Sequence, residues 1–261
     1  MPRPNYGHFI NLSGESVPVP LLDPSFAFMK EQLDVEAIAL LDSCNGLLLF
    51  GRGWGSDTHD SRGYIVCNPV TEQWVAVPTS GWTPSPPEEI DAHTFLHFHP
   101  SVSSHFCLVQ FWCWQGGIVE SVEGVRIYSS QTGLWSDTPS KWRHWEQEGG
   151  CTQSGYFGAI ENPSYGGAFV NGMLHFIFHK FRREEFEIIA VDGEGKRCRV
   201  IRWPGKHRFG YAAFIGQSQG RLHCISGLRK QNVEVNDFQL KGLSIWVLED
   251  YDAEEWVLKQ M

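Results

Sequence analysis

Short apolar runs separated by polar turn clusters recur along almost the whole chain. AIALLD (37–42), LLLF (47–50), GYIVCN (63–68) and WVAVP (74–78) form one such series. TFLHFH (94–99), HFCLVQFWC (105–113), GVRIYS (124–129) and WSDTP (135–139) form a second. MLHFIFH (173–179) alternates apolar and polar residues as a half-buried strand does. The pattern predicts strands throughout, with one helical turn near FMKEQL (28–33).

The runs fall into a repeat. Asn68, Ser129, Asp192 and Asp250 stand six positions before Trp74, Trp135, Cys198 and Trp256. Short polar side chains bond backbone groups two residues on and start turns, so each segment reads as a strand, a polar turn and a new strand opened by an aromatic, with Cys198 the one departure. The spacings are 135−74=61, 198−135=63 and 256−198=58. A second motif shares the period: SCNGLLLF (43–50), FVNGMLHF (169–176) and SQGRLHCI (218–225) place a tight turn before an apolar strand. Asn45-Gly46 and Asn171-Gly172 are strong hairpin signals because both residue types tolerate positive φ. The second unit uses HPSVSSH (99–105) instead.

Each unit therefore reads as a four-stranded meander, and such units repeated at this period indicate the blades of a β-propeller. One blade cannot bury both faces alone, and stacking on neighbours buries them. The expectation is a single all-β domain over 1–261 with blades at about 38–78, 93–139, 166–204 and 211–258, plus N-terminal strand or strands, in a complete or an incomplete ring. A two-layer sandwich is the competitor and does not account for so regular a repeat. The repeated tryptophans are expected between blades.

In a meander the first-to-second and third-to-fourth turns share one end. The other connectors share the opposite end. The long irregular segments 51–63, 79–92, 114–123, 140–165, 179–185 and 226–241 are all of the second kind. The end they form carries Trp54, Trp82, Trp114, Trp142, Trp145, Tyr165, Phe181, Arg182 and Arg183. Aromatics and arginines on loops over a rigid scaffold suit a protein-binding surface. The competing expectation is that some of the tryptophans fold back into the propeller channel.

Composition agrees with many short strands: 13% of residues are aromatic, 11 are Trp and 27 are Gly. The net charge of −9 argues against a nucleic-acid backbone as partner. Cys44, Cys67, Cys107, Cys113, Cys151, Cys198 and Cys224 are scattered, odd in number and without a C-x-x-C, which suits reduced thiols in the cytoplasm or nucleus. MPRPNYGHF has no signal-peptide core, and runs such as GLLLF are too short to span a bilayer, so no membrane is expected. On that route the sequon at Asn11 is without consequence.

Candidate chemistry dissolves on inspection. GQSQG (216–220) matches the G-x-S-x-G elbow of esterases, yet a strand follows it where a helix is required, so Ser218 reads as a turn serine. GRGWGS (51–56) resembles a phosphate loop in glycine content only, with no helix after it. His175 and His179 on a strand would stand about 13 Å apart, too far to share one ion. His97 and His99 are closer but lack a third ligand. RVIRWPGKHR (199–208) is the most basic stretch and reads as solvated loop. No catalytic residue, metal ligand or cofactor is expected.

LLDSCNGLLLF and YIVCNPVTEQWVAVP together resemble the F-box-associated propeller region of plant F-box proteins, whose hallmarks are a C-N-G-L-L strand and a C-N-P-x-T-x-x-W turn. The likeness continues through FHPSVSSHFCLVQF, VRIYSSQTGLWSD, GGAFVNGMLHFI and LSIWVLEDYDAEEWVL, so it covers most of the chain from about residue 8. The resemblance implies a kelch-like propeller that serves as substrate receptor in a Skp–cullin–F-box ubiquitin ligase. Such a module holds a target protein near the charged enzyme and does no chemistry itself. Residues 1–40 carry the extended, proline-rich VPVPLLDP, not the family's helical F-box pattern. A Skp adaptor is thus expected only for a longer form that has an F-box. The alternatives are a kelch-like metal-dependent oxidase, for which no tyrosine and histidine cluster can be assembled, and a truncated or degenerate relative without a ligase role.

Overall fold

The computed structural model describes residues 26, 28, 38–52, 63–81, 90–114, 121–137, 158–160, 166–180, 185–192, 198–204, 210–232 and 237–260. They form four antiparallel sheets, each a four-stranded meander whose strands pair in chain order, with one short extra strand in the third that pairs out of order. Blade 1 is β1 (Ile38–Cys44), β2 (Leu47–Arg52), β3 (Tyr64–Asn68) and β4 (Gln73–Val77). Blade 2 is β5 (Ile90–His97), β6 (Cys107–Trp114), β7 (Ser121–Ser129) and β8 (Leu134–Asp137). Blade 3 holds β9 (Gly158–Ile160), β10 (Ala168–Val170), β11 (Met173–Lys180), β12 (Glu185–Asp192) and β13 (Cys198–Arg202). Blade 4 is β14 (Gly210–Ser218), β15 (Arg221–Asn232), β16 (Asp237–Asp250) and β17 (Glu255–Gln260). The described residues make four blades of an all-β propeller, as the repeat predicts, and the expected N-terminal strand or strands ahead of residue 26 lie outside them.

The turns form for the reasons their residues suggest. Asn45 and Gly46, Asn171 and Gly172, and Gln219 and Gly220 all have positive φ, as a two-residue hairpin turn requires. At the third-to-fourth turns the Asn68 side chain accepts from the amides of Val70 and Thr71, and Asp250 accepts from Asp252 and Ala253. Ser129 accepts from Gln131. The repeated polar residue is thus a turn starter in three blades, and the turn after Asp192 lies outside the described residues. In blade 2 the amides of Val102 and Ser103 donate to the His99 carbonyl, which makes HPSVSSH the expected turn.

Blade faces bury against one another. Leu49, Val66 and Val77 of blade 1 meet Leu96, Leu108 and Tyr128 of blade 2. Phe95, Phe111 and Val125 of blade 2 meet Leu174, Phe176 and Ile189 of blade 3, with the Phe95 and Phe111 rings 5.4 and 4.9 Å from that of Phe176. Ile177, Ile188 and Ile201 of blade 3 meet Ile215, Leu222 and Cys224 of blade 4. A fourth cluster covers the remaining face of blade 1, where Phe26 and Phe28 pack over Ile38, Leu48, Phe50 and Ile65. Of the repeated tryptophans, Trp135 packs in the blade 1–2 seam and Trp256 in the blade 3–4 seam, while Trp74 joins Phe26 and Phe28 on blade 1. Complete burial of a phenylalanine such as Phe50, Phe95 or Phe176 contributes roughly 1.5–3 kcal/mol.

The structure departs from the expected elements in two places. The segment 140–165, expected as irregular, contains β9, which pairs with Phe178–Lys180 of β11 and continues the line of β10. A three-residue strand is too short to show a period in sequence. The described residues of segments 114–123, 179–185 and 226–241, also expected as irregular, are strand, because the β6–β7, β11–β12 and β15–β16 ladders run on to Trp114↔Ser121, Lys180↔Glu185 and Asn232↔Asp237.

Candidate functional site

The blades share one orientation. The Cys44 thiol and the Asn45 amide, at the β1–β2 turn, both donate to the carbonyl of Phe98 just beyond β5, at 3.3 and 2.7 Å. His97, at the end of β5, stacks on Phe169 beside the β10–β11 turn. Tyr251, in the β16–β17 turn, reaches His175 of β11. The short turns therefore gather at one end, and alternating strand direction sends the other connectors to the opposite end.

At that connector end, the link from blade 1 to blade 2 is clamped. The Trp135 indole donates to the Pro78 carbonyl at 2.9 Å, and the Arg126 guanidinium donates to the carbonyl of Ser80. The β15–β16 ladder also continues beyond its neighbours. β14 pairs only up to Leu228 and β17 only up to Ile245, so residues 229–232 and 237–241 make a two-stranded ribbon extending from blade 4. Its sequence, RKQN and DFQLK, has too few apolar residues to be read as strand from alternation.

Of the residues singled out from the sequence, Trp114 is the last residue of β6, paired with Ser121 at the connector end. Trp54, Trp82, Trp142, Trp145, Tyr165, Phe181, Arg182 and Arg183 lie outside the described residues. Residues 181–184 join the paired Lys180 and Glu185. GRGWGS beyond Arg52 also lies outside, as do residues 1–25 and with them the question of an F-box. Phe28 is helical, while residues 29–33 of the expected helical turn lie outside the described residues, and Ser218 ends β14 ahead of the Gln219-Gly220 turn, as expected.

The buried titratable groups hold seams together. Asp42 accepts from the amides of Ser43 at 2.7 Å and Leu96 at 2.8 Å, tying blade 1 to blade 2. Burial raises its carboxyl to about 7, against a partial offset from those two hydrogen bonds. Burial also pushes the neighbouring Cys44 thiol up to about 11. His97 is held down to about 4 by burial and by His99. His175 is held down to about 4, mainly by burial. His175 and His179 do not converge: the first bonds Ala168 and Tyr251, and the second stacks on Phe186. Arg199, from the basic stretch, pairs with Glu254 at 3.3 Å and Asp252 at 3.5 Å and lies over the Tyr251 ring, so it joins blades 3 and 4. Among the described residues no group of three His, Cys, Asp or Glu is placed to hold a metal ion. No helix among them is long and apolar enough to cross a membrane. The seam residues Asp42 and Tyr251 were not singled out from sequence, where they look like ordinary strand-end and turn residues, and Asn45 was singled out only as a turn residue.

Residues 22–260 match the family described as F-box protein At3g26010-like, beta-propeller. No curated protein matches the sequence. Solved structures of similar shape include the Bacillus subtilis arabinanase Arb43A, at 12% identity and a TM-score of 0.41, covering 82% of this chain and 76% of that one. The exo-beta-1,3-galactanase 1,3Gal43A from Clostridium thermocellum aligns at 10% identity and a TM-score of 0.43, covering 86% of this chain and 48% of that one. Porphyromonas gingivalis dipeptidyl peptidase 4 aligns at 8% identity and 0.36, covering 85% and 38%.

Proposed function

The chain belongs to the F-box protein At3g26010-like β-propeller family, and from that premise we propose that it is a non-catalytic protein-interaction module, the target-recognition propeller of a Skp–cullin–F-box ubiquitin ligase receptor. The observation that supports this reading is the alignment of the four blades. It sets the strand ends that flank the connectors of the second kind at one end of a scaffold pinned at its seams. Such a scaffold presents loops rigidly, which lowers the entropy lost on binding and holds a captured protein in place for transfer. Trp54, Trp82, Trp114, Trp142, Trp145, Tyr165, Phe181, Arg182 and Arg183 are the contact residues on this proposal. The target itself is not named by the sequence. A Skp adaptor would engage a form of the protein that carries an F-box, in the cytoplasm or nucleus.

The test is proximity labelling in cells with the wild-type chain and with a Trp54→Ala/Trp142→Ala/Arg182→Ala variant. Support is a protein labelled by the wild type, lost with the variant at unchanged melting temperature, and accumulating when the receptor is depleted. Equal labelling by a folded variant would remove the connector end as the recognition surface. A labelled protein whose abundance does not respond to depletion would keep the interaction module and discard the ligase role.

A further inference from the structure

Each blade ends in an outer strand with one open edge. β4, β8, β13 and β17 pair with β3, β7, β12 and β16, and among the described residues no strand pairs with their other sides. Such edges invite pairing with another chain, and proteins blunt them with short strands, prolines and charges. Three of the four are blunted in this way. β4, β8 and β13 have five, four and five residues and are followed within two positions by Pro78, Pro139 and Pro204. A proline has no N–H with which to carry a ladder further. β17 has six residues, contains no proline, and is exposed at every position except the half-buried Trp256. Val257 and Leu258, on its opposite faces, are 38% and 36% exposed.

The charges of β17 suit it to a second copy of itself. In EWVLK (255–259), Glu255 and Lys259 stand at equal distances on either side of Val257. A second β17 laid antiparallel about a two-fold axis at Val257 sets Glu255 of each copy opposite Lys259 of the other. The same register sets Trp256 opposite Leu258 and Val257 opposite Val257. Each pairing joins residues of the same parity, as the alternating outward N–H and C=O groups of an edge require. Opposite charges directly across a ladder stabilise it, and like charges destabilise it. The other outer strands lack this match: QWVAV (73–77) carries no charge, LWSD (134–137) one acid and CRVIR (198–202) two arginines. Lys259 is anchored 2.7 Å from Glu249 of β16 yet keeps its side chain 49% exposed, with ammonium donors to spare for a second carboxylate.

We propose that the protein forms a symmetric dimer in which two β17 strands pair antiparallel about Val257, joining the fourth blades of two copies into one eight-stranded sheet. The contact runs along the outer strand of blade 4, so it depends neither on the connector end nor on the ligase reading. A single strand edge is a small interface, and the dimer dissociates on dilution.

The test is sedimentation of the full chain over a range of concentrations, which should show a monomer–dimer equilibrium. Glu255→Lys and Lys259→Glu each set like charges opposite one another and should each weaken association about tenfold or more. Mixing the two variants restores opposite charges at both positions and should recover dimers at the wild-type level or above. Under mild oxidation Val257→Cys should form a disulfide between copies, while Val75→Cys, on the equally open β4 and 46% exposed in the wild type, should not. A chain that stays monomeric up to about 1 mM, or a dimer that neither single variant weakens, would overturn the proposal. So would a mixture that associates no better than either variant alone, or a disulfide that forms as readily with Val75→Cys. Assemblies larger than a dimer would equally overturn it, because a two-fold contact closes on itself.

Discussion

The Nε2 atom of His175 on β11 lies 2.9 Å from the phenolic oxygen of Tyr251 in the β16–β17 turn. On its other side Nδ1 is 3.1 Å from the Ala168 carbonyl. A carbonyl can only accept, so Nδ1 carries the proton and the neutral ring accepts from the tyrosine at Nε2. Burial holds His175 down to about 4, in agreement with that state. Tyr251→Phe keeps the ring that packs in the blade 3–4 seam but leaves Nε2 buried without a donor. The expected loss is about 1–3 kcal/mol in urea unfolding at neutral pH. An unchanged midpoint would show that the bond does not help hold the seam.

Gly46 and Gly166 separate backbone strain from steric overlap. Both have φ near +88°, but a Cβ on Gly46 would meet nothing within 4 Å, whereas one on Gly166 would overlap the Ile215 carbonyl and the Phe214 ring. Gly46→Ala should therefore cost about 1 kcal/mol, the conformational term alone. Gly166→Ala should cost several times more, because the clash is with backbone of the next blade. Thermal denaturation of the two variants side by side checks the ordering. Equal costs would mean that blades 3 and 4 are not in close contact at β10 and β14.

The aromatic trio of Phe95, Phe111 and Phe176 makes the middle seam the most sensitive to truncation. Phe176 is buried and contacts both of the others across the blade 2–3 boundary. Phe176→Ala removes the ring and leaves a cavity that two sheets cannot both collapse into, at about 3–5 kcal/mol. Chemical unfolding should show the midpoint falling by a matching amount. A loss below about 1 kcal/mol would contradict the close packing of this seam.

The fold was legible because its signals are local. Asn68, Ser129 and Asp250 act within three residues of themselves, and the Asn-Gly pairs dictate positive φ wherever they stand. The repeat then multiplies each signal by the number of blades. The seam contacts were not legible, because Asp42 to Leu96 and His175 to Tyr251 join residues 54 and 76 positions apart. No period or spacing announces such a pair. The ribbon beyond Leu228 was missed for a related reason: RKQN and DFQLK carry too few apolar residues to show a period of two. Of the proposed contact residues, the structure locates only Trp114, at the connector end.

Asp42 gives the stability of the protein a pH dependence of unusual sign. Its carboxyl rises from 3.8 to about 7 in the folded chain, chiefly because burial disfavours the charge. Between about pH 4 and 7 the folded state holds a proton that the unfolded state has released, so stability falls as pH rises through this window. At about 1.4 kcal/mol per pKa unit the full penalty is roughly 4 kcal/mol, reached above pH 7. His175 and His97, each held down to about 4, act in the opposite direction, because their contribution is lost as pH falls from about 6.5. The useful measurement is therefore the difference between wild type and Asp42→Asn, which cancels the histidines. The variant gives up one of the acceptors that serve Ser43 and Leu96, a cost that does not vary with pH. Relative to wild type it should gain stability steadily from pH 4 to 7 and then level off. Urea titrations at pH 4.5, 6 and 8 would show this as a narrowing or reversing gap. A gap constant across that range would mean that Asp42 stays ionised in the seam, and that its hydrogen bonds outweigh its burial.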